Sequence, residues 1–220
     1  MSKKHKREKE KPEKAKLEAA EIKEKHEKAR LEPAEIKEKP DEIKAKFELI
    51  KVKAVFDGEF VSSNTKEAMT LSGQSRFGEL KHGKIIYAVF EALYLLEKEK
   101  MEISFKGKKL KFEQLLEEAR KKEPNIRTKY IVFRDMRNRG FIVKTALKFG
   151  ADFRVYDRGV KPGEDHARWI LYPVSEATAL TWYDFSAKNR VAHSTKKNLL
   201  IGIVDEESDV TYYEIIWRKP

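Results

Sequence analysis

The amino-acid sequence predicts an α+β module followed by an α/β domain with a mixed sheet, both preceded by a charged N-terminal tail. Composition changes near Phe47, where Lys- and Glu-rich repeats give way to apolar periodicity. Strand and helix signals then fill a short first module, and helical and alternating segments follow one another in the second half. The predicted divisions are the tail 1–46, the α+β module 47–124 and the α/β domain 125–220.

Composition limits the function. The chain has 220 residues, no cysteine and a formal net charge of +11, which indicates one or two domains and an anionic partner. Disulfides, thiol nucleophiles and cysteine-ligated zinc are excluded. No apolar run approaches the roughly 20 residues that span a bilayer, and the N-terminus lacks the apolar core of a signal peptide. A cytoplasmic protein without a membrane partner is therefore expected.

The tail contains a repeat. "LEAAEIKEKHEKAR" at 17–30 is followed by "LEPAEIKEKPDEIK" at 31–44, and a period of fourteen residues equals two heptads, as in a coiled coil. Aliphatic residues are sparse, however, and Pro12, Pro33 and Pro40 interrupt a helix. A disordered or partly helical tail is predicted, with a coiled coil as the alternative.

The first module begins with a strand pattern that turns at Asp57-Gly58, a two-residue hairpin signal. Residues 81–100, "KHGKIIYAVFEALYLLEKEK", predict one helix, and 101–112 predict a short strand or turn. A charged amphipathic helix then ends before Pro124. Nothing in this module resembles a reaction centre.

The second half begins with a helix that Gly140 stops, because glycine is the usual residue just past a helix end. Thr181 and Asp184 have capping-box spacing and predict the start of a last helix. Strands are predicted within "FIVKTALKFG", "ADFRVYDRG", "HARWILYPV", "LLIGIV" and "VTYYEIIW". Because helices alternate with these strands, an α/β domain is predicted.

Strand alternation in "DFRVY" puts Phe153 and Val155 on one face, and Arg154 and Tyr156 on the other, polar face. A tyrosine beside an arginine on a polar face is a candidate functional residue. A core tyrosine is the alternative.

His166 and Lys197 are two further candidates for this centre. His166 lies in a loop after a Pro-Gly pair, where functional residues concentrate, although an exposed loop histidine is the alternative. Arg190, His193 and Lys197 recur at i, i+3 and i+7, which predicts a cationic stripe on the last helix, with a solvated Lys197 as the alternative. A base candidate, an acid candidate and a fixed cation together favour proton transfer on a charged substrate without a metal. No Asp…Glu-x-Lys set of metal ligands is visible, and no cofactor is expected.

The residues that carry these signals resemble the archaeal tRNA-splicing endonuclease family, in its single-repeat type. The resemblance lies in "YIVFRDMRNRGFIVKTALKFGADFRVYDRG", in His166 ten residues after Tyr156, and in "NRVAHSTKKNLLIGIVDEESDVTYYEIIW". It covers nearly all of 125–220, extends more weakly to the first module, and leaves out the tail. It implies a restriction-endonuclease-like catalytic domain without a metal, in which Tyr156, His166 and Lys197 are catalytic. Ala167 departs from the serine that is common in the family.

The implied reaction is cleavage of precursor tRNA at both intron boundaries, within a bulge-helix-bulge. Tyr156 would take the proton of the ribose 2′-OH, His166 would protonate the leaving 5′-oxygen, and Lys197 would stabilise the phosphorane. The products would be a 2′,3′-cyclic phosphate and a 5′-hydroxyl. A free tyrosine has a pKa near 10, so such a base needs neighbouring cations. The resemblance further implies that Arg190 stacks on a bulge base, while His193 is a neighbour without a catalytic role.

Assembly is also implied by the resemblance, because single-repeat subunits of this family form homotetramers. The acidic loop would insert into a basic pocket of a neighbouring subunit, through the carboxylates of Asp205, Glu206, Glu207 and Asp209. A solvated hairpin turn is the alternative for this loop.

Two rival functions are a catalytically silent RNA-binding structural subunit and a general basic RNA-binding protein, whose affinity would fall steeply with salt.

Overall fold

Two β-sheets organise the part of the chain that the structure describes. A computed structural model describes residues 51–218, apart from residues 161 and 164. The predicted tail, its repeats and the coiled-coil alternative lie outside the described residues. Within these residues, no helix has both the length and the apolar character needed to cross a membrane.

The first sheet belongs to the α+β module. Its elements are β1 (Val52–Phe56), β2 (Val61–Ser63), α1 (Lys66–Ser75), β3 (Glu79–Lys81), β4 (Lys84–Tyr87), α2 (Val89–Glu97), β5 (Met101–Phe105), β6 (Lys108–Leu110) and α3 (Phe112–Arg120). The six strands lie in the order β3-β4-β2-β1-β5-β6. Only the β1–β5 pair among them is parallel.

The second sheet belongs to the α/β domain. Its elements are α4 (Ile126–Asn138), β7 (Ile142–Thr145), a 3₁₀ turn (Leu147–Phe149), β8 (Phe153–Tyr156), β9 (Trp169–Ser175), α5 (Trp182–Ser194), β10 (Asn198–Val204) and β11 (Val210–Ile215). The strand order is β11-β10-β9-β8-β7. Because β9 and β10 are parallel and the other neighbours antiparallel, the predicted mixed sheet is confirmed.

The turn between β1 and β2 is wider than the sequence predicts. The hairpin at Asp57-Gly58 is confirmed, but Phe56 pairs with Val61, so four residues connect the strands. The Asp57 carboxylate accepts hydrogen bonds from the backbone N–H groups of Glu59 and Phe60, both at 2.8 Å. These two bonds stabilise a wider turn than the predicted two-residue one.

The single helix predicted over 81–100 is wrong. Lys84–Tyr87 forms β4, which pairs with β2 and β3, and α2 begins only at Val89. The side chain of Glu91 fixes this start, because its Oε2 accepts the backbone N–H groups of Ala88 and Gly78, both at 3.1 Å. Helix α1 and strand β3 were not predicted.

The ends of the two helices in the second half follow the sequence signals. Gly140 has φ +88° and its N–H donates to the Arg137 carbonyl at 3.0 Å, which closes α4 as predicted. Thr181 caps α5, because its hydroxyl accepts the N–H of Asp184 at 3.1 Å. The strand predicted within 141–150 is shorter than the segment, since it gives way to the 3₁₀ turn.

Buried side chains from both modules form one continuous core. Phe90 of α2, Phe133 of α4 and Phe153 of β8 pack with ring centroids 5.0–6.2 Å apart. A smaller cluster fills the other face of the second sheet, where α5 covers it; its buried members are Ala146, Ala151, Ile170, Tyr172, Ala192, Leu199 and Ile201. The predicted boundary near residue 124 stays a prediction.

Candidate active site

The ends of three adjacent strands bring the predicted catalytic residues to one end of the second sheet. Val155 of β8 and Asn198 of β10 both pair with Trp169 of β9. One residue further on, Tyr156 and Lys197 therefore flank Arg168. With strands about 4.8 Å apart, the backbones of Tyr156 and Lys197 lie roughly 10 Å from each other.

Tyr156 is buried on the face of the sheet that α5 covers. Only 5% of its surface is exposed. Arg154 shares this face, because side chains two residues apart on a strand point the same way. The guanidinium carbon of Arg154 lies 5.9 Å from the centroid of the Tyr156 ring. A cation thus stands beside the proposed base, as such a base requires.

Lys197 follows the C-terminal end of α5 and does not lie on a face of the helix. The helix ends at Ser194, and Lys196 adopts a left-handed conformation with φ +55°. The N–H of Lys196 donates to the His193 carbonyl at 3.0 Å, and that of Lys197 to the Ala192 carbonyl at 2.9 Å. These bonds form a Schellman motif, which directs the chain into β10. The predicted helical stripe is therefore wrong for Lys197, while Arg190 and His193 do lie on the helix.

The Lys197 ammonium is half-buried. Its Nζ donates to the Thr195 carbonyl at 2.8 Å. Burial and, next, the positive charge of Arg154 lower the pKa of Lys197. The protonated form is thus destabilised in the free protein, which favours an anion at this position.

His166 lies in the loop between β8 and β9, two residues before Arg168. Its side chain is exposed, and its backbone N–H donates to Asp165 Oδ1 at 2.6 Å. The next residue, Ala167, is buried, and the N–H of Arg168 donates to the Val155 carbonyl at 2.9 Å. The loop therefore holds His166 at the same end of the sheet as Tyr156 and Lys197.

Arg190 is exposed on α5, and the same helix borders a small cavity of about 160 Å³. The cavity is lined by Asn189, His193, Lys196, Lys197, Asn198, Ile215, Ile216 and Trp217. The ring of Trp217, half of which is exposed, lies 4.5 Å from that of His193. The sequence pattern predicts Trp217 only as the end of the last strand, whereas that strand ends at Ile215 and Trp217 lies at this cavity.

The acidic loop forms the turn between β10 and β11. The N–H of Asp209 donates to Asp205 Oδ1 at 2.8 Å, and the N–H of Glu206 donates to Glu176 Oε1 at 3.0 Å. Within the described residues, no cation lies within ion-pair distance of the carboxylates of Asp205, Glu206, Glu207 or Asp209. In a single chain this loop is a solvated turn.

A second cavity, of about 520 Å³, lies between the two modules, and none of Tyr156, His166 and Lys197 lines it. It has four lining lysines, each ion-paired with a lining glutamate: Lys81–Glu79, Lys122–Glu59, Lys129–Glu123 and Lys144–Glu91. Its lining is therefore balanced in charge, and we assign no chemistry to it.

The two-domain architecture is that of an endonuclease. Residues 126–212 match the catalytic C-terminal domain of the tRNA intron endonucleases, and residues 52–116 match the N-terminal domain. The chain therefore belongs to the tRNA intron endonuclease family, as the sequence resemblance predicted, and it is an enzyme of tRNA splicing.

Relatives in several archaea support this membership. A tRNA-splicing endonuclease of Thermococcus onnurineus is 42% identical over 172 residues, which are 78% of this chain and 98% of the relative. One from Pyrococcus horikoshii is 37% identical over 76% of this chain and 97% of its own length. One from Methanothermobacter thermautotrophicus is 37% identical over 71% of this chain and 91% of its own length.

Proposed function

We propose that this chain cuts precursor tRNA at both intron boundaries within a bulge-helix-bulge, by acid/base catalysis that needs no metal. Tyr156, His166 and Lys197 carry the reaction. The observation behind this assignment is the strand register, which aligns the end of β8 with the starts of β9 and β10. Acting on precursor tRNA, the enzyme works in the cytoplasm.

The reaction is an in-line transesterification. The Tyr156 phenolate removes the proton of the ribose 2′-OH, and the 2′-oxygen attacks the adjacent phosphorus. The bond from phosphorus to the 5′-oxygen breaks, and the protonated His166 donates a proton to that oxygen. The products are a 2′,3′-cyclic phosphate and a 5′-hydroxyl; Tyr156 then returns its proton to solvent, and His166 regains one from solvent.

Lys197 stabilises the charge that grows on the phosphorane. An electrostatic donor of this kind contributes most where water is excluded, and Lys197 is half-buried at the same end of the sheet as the buried Tyr156. An RNA phosphate also relieves the repulsion between Lys197 and Arg154. Substrate binding and charge stabilisation thus use the same ammonium group.

Arg190 binds a base of the bulge. Guanidinium groups stack on bases that are splayed out of a helix. Arg190 is exposed on α5, whose C-terminal end leads to Lys197, and the exposed ring of Trp217 lies beside this helix. One helix therefore connects base binding with the reacting phosphate.

Four identical chains form the active enzyme. The acidic loop supports this proposal, because its carboxylates have no cationic partner among the described residues of their own chain. Strand β11 also forms an edge of its sheet, and it and the residues after it expose Tyr213, Ile216 and Trp217. Exposed apolar residues on an open edge strand favour association with another chain.

One experiment tests this function. The purified chain is incubated alone with an intron-bearing precursor tRNA in excess chelator, with Tyr156→Phe as a matched control. We expect discrete fragments that end in a cyclic phosphate, and about 10²-fold or greater slowing in the control. A gel shift without cleavage would favour a silent subunit or a general RNA-binding protein. Cleavage that stops in chelator would contradict the metal-free mechanism.

A further inference from the structure

Arg154 carries a half-buried guanidinium whose Nε has no hydrogen-bond acceptor among the described residues. Its Nε atom is itself buried. Most buried donors in folded proteins are paired, and an unpaired one destabilises the fold. An explanation is therefore required for this arginine.

Two cations, Lys144 and Lys197, lie near Arg154. Lys144 of β7 lies directly opposite in register and on the same face, where Cβ atoms are about 4.5–5.5 Å apart. On the other side, the charge of Arg154 contributes to the lowered pKa of Lys197, after burial. Like charges placed this way destabilise a sheet.

The neighbouring carboxylates already have partners. Glu91 accepts from Lys144 at 2.8 Å, and Glu79 is ion-paired with Lys81 at 3.2 Å. Burial raises the pKa of Glu79, but its hydrogen bond with Lys81 and the charges of Lys81, Lys144 and Arg154 lower it overall, so this carboxylate lies near Arg154. Arg154 is nevertheless beyond ion-pair distance of both carboxylates. Among the described residues, no anion contacts Arg154.

We propose that Arg154 binds the scissile phosphodiester of the RNA, near Tyr156 and Lys197. This assignment rests on the proposed function of those two residues. A phosphate supplies the missing anion, and its oxygens match the donor fork of a guanidinium. The phosphate next to the reacting 2′-OH must lie near Tyr156, whose ring centroid is 5.9 Å from the Arg154 guanidinium.

The unfolding temperature of Arg154→Gln distinguishes a substrate-binding role of Arg154 from a structural one. If Arg154 binds substrate, Arg154→Gln removes repulsion and leaves the unfolding temperature unchanged or higher, while kcat/KM falls about 10- to 100-fold, as for one charge-assisted hydrogen bond. Part of the loss is expected in KM, because the contact exists before the reaction begins, and part in kcat, because Arg154 is also the cation beside the Tyr156 ring. An arginine that only supports the Tyr156 ring would instead lower the unfolding temperature and kcat together and leave KM unchanged.

Inorganic phosphate provides a second measurement that does not depend on activity. Phosphate should raise the unfolding temperature of the wild type more than that of Arg154→Gln. Arg154→Lys keeps the charge without the fork, so it should recover part of both effects and serves if the glutamine variant folds poorly. Arg120→Gln is the control, since this exposed arginine of α3 lies outside the site.

Tyr156→Phe is assayed in parallel to separate the two proposals. If Tyr156→Phe is inactive and Arg154→Gln matches the wild type in kcat/KM and phosphate response, the role of Arg154 is refuted and the proposed function stands. If Tyr156→Phe cleaves like the wild type, the proposed function itself fails.

Discussion

At the scale of single residues, Tyr156 and His166 occupy opposite environments that suit opposite proton transfers. Tyr156 is 5% exposed and has a guanidinium beside its ring, so in the proposed mechanism competing water is excluded where the 2′-OH would be deprotonated. His166 is exposed, so as the proposed acid it could regain its proton from solvent. Under this proposal, burial serves the attack, and exposure serves the turnover.

His166→Ala should slow cleavage about 10²- to 10⁴-fold while precursor binding stays almost unchanged, because general acid catalysis contributes to the rate and not to affinity. Single-turnover cleavage and filter binding measure the two effects. His82→Asn is the control, since His82 is an exposed turn histidine of the first module. A substrate with a better leaving group at the scissile 5′-oxygen should be slowed much less, and equal slowing would remove the leaving-group role.

Lys197 should give the rate its alkaline limb. Burial and Arg154 lower its pKa, so Lys197 loses its proton at lower pH than a free lysine, whose pKa is about 10.4. The cleavage rate should fall as pH rises through this lowered value. Arg154→Gln removes a like charge and should move the limb to higher pH, whereas Arg120→Gln should not. An unmoved limb in Arg154→Gln would assign it to a group other than Lys197.

The sequence identified Tyr156, His166 and Lys197 as candidates, because motif and spacing point to them. It could not show that they lie at the same end of the sheet, since this placement depends on register between strands that are distant in the chain. It also placed Lys197 on a helix. A lysine in left-handed conformation at Lys196 ends that helix, and helix-end signals usually rely on glycine.

At the scale of elements, a buried ion pair connects the two modules. Lys144 of β7 contacts Glu91 of α2 at 2.8 Å and donates to the Gly78 carbonyl at 3.0 Å. Both side chains are less than one-tenth exposed. Because Lys144 also pairs in register with Arg154, the pair fixes the strand next to the candidate site.

Lys144→Met should lower the free energy of unfolding by about 3–5 kcal/mol, because Glu91 is left as an uncompensated buried charge. Lys81→Met is the matched control: the Lys81–Glu79 pair is exposed and should contribute less than about 1 kcal/mol. Urea unfolding measures both. Adding Glu91→Gln to Lys144→Met should recover part of the loss. Equal small losses in the two single variants would show that the buried pair contributes no more than a surface one.

Elements with one strong signal were predicted correctly, and elements with two competing signals were not. The apolar residues Ile85, Val89 and Leu93 fit a helical face, yet Ile85 lies on β4 and the other two on α2. Pairing of β4 with β2 and β3 overrides the local pattern, and only the tertiary structure contains that pairing. Gly140 and Thr181 marked helix ends correctly, because cap chemistry is local.

At the scale of the whole molecule, the continuous core makes the two modules mechanically dependent. Phe90 of the first module packs edge-on against Phe153, which is three residues before Tyr156 on β8. The module without candidate catalytic residues therefore supports the strand that carries the proposed base. No sequence pattern showed this contact.

In the proposed tetramer, replacing Asp205, Glu206, Glu207 and Asp209 with their amides should cause dissociation into dimers. If the loop docks on a neighbouring chain, its carboxylates oppose cations across a partly desolvated interface, where charge pairs contribute more than at an open surface. Each dimer should keep its fold, because the loop lies outside the core, but cleavage should fail, since under the proposed function two sites grip one bulge-helix-bulge at a fixed separation. Light scattering and a cleavage assay on one sample measure both effects. Glu67, Glu99, Glu113 and Glu117, exposed glutamates of the first module, provide a control with the same charge change. A loop variant that stayed tetrameric and fully active would reduce the loop to a solvated turn.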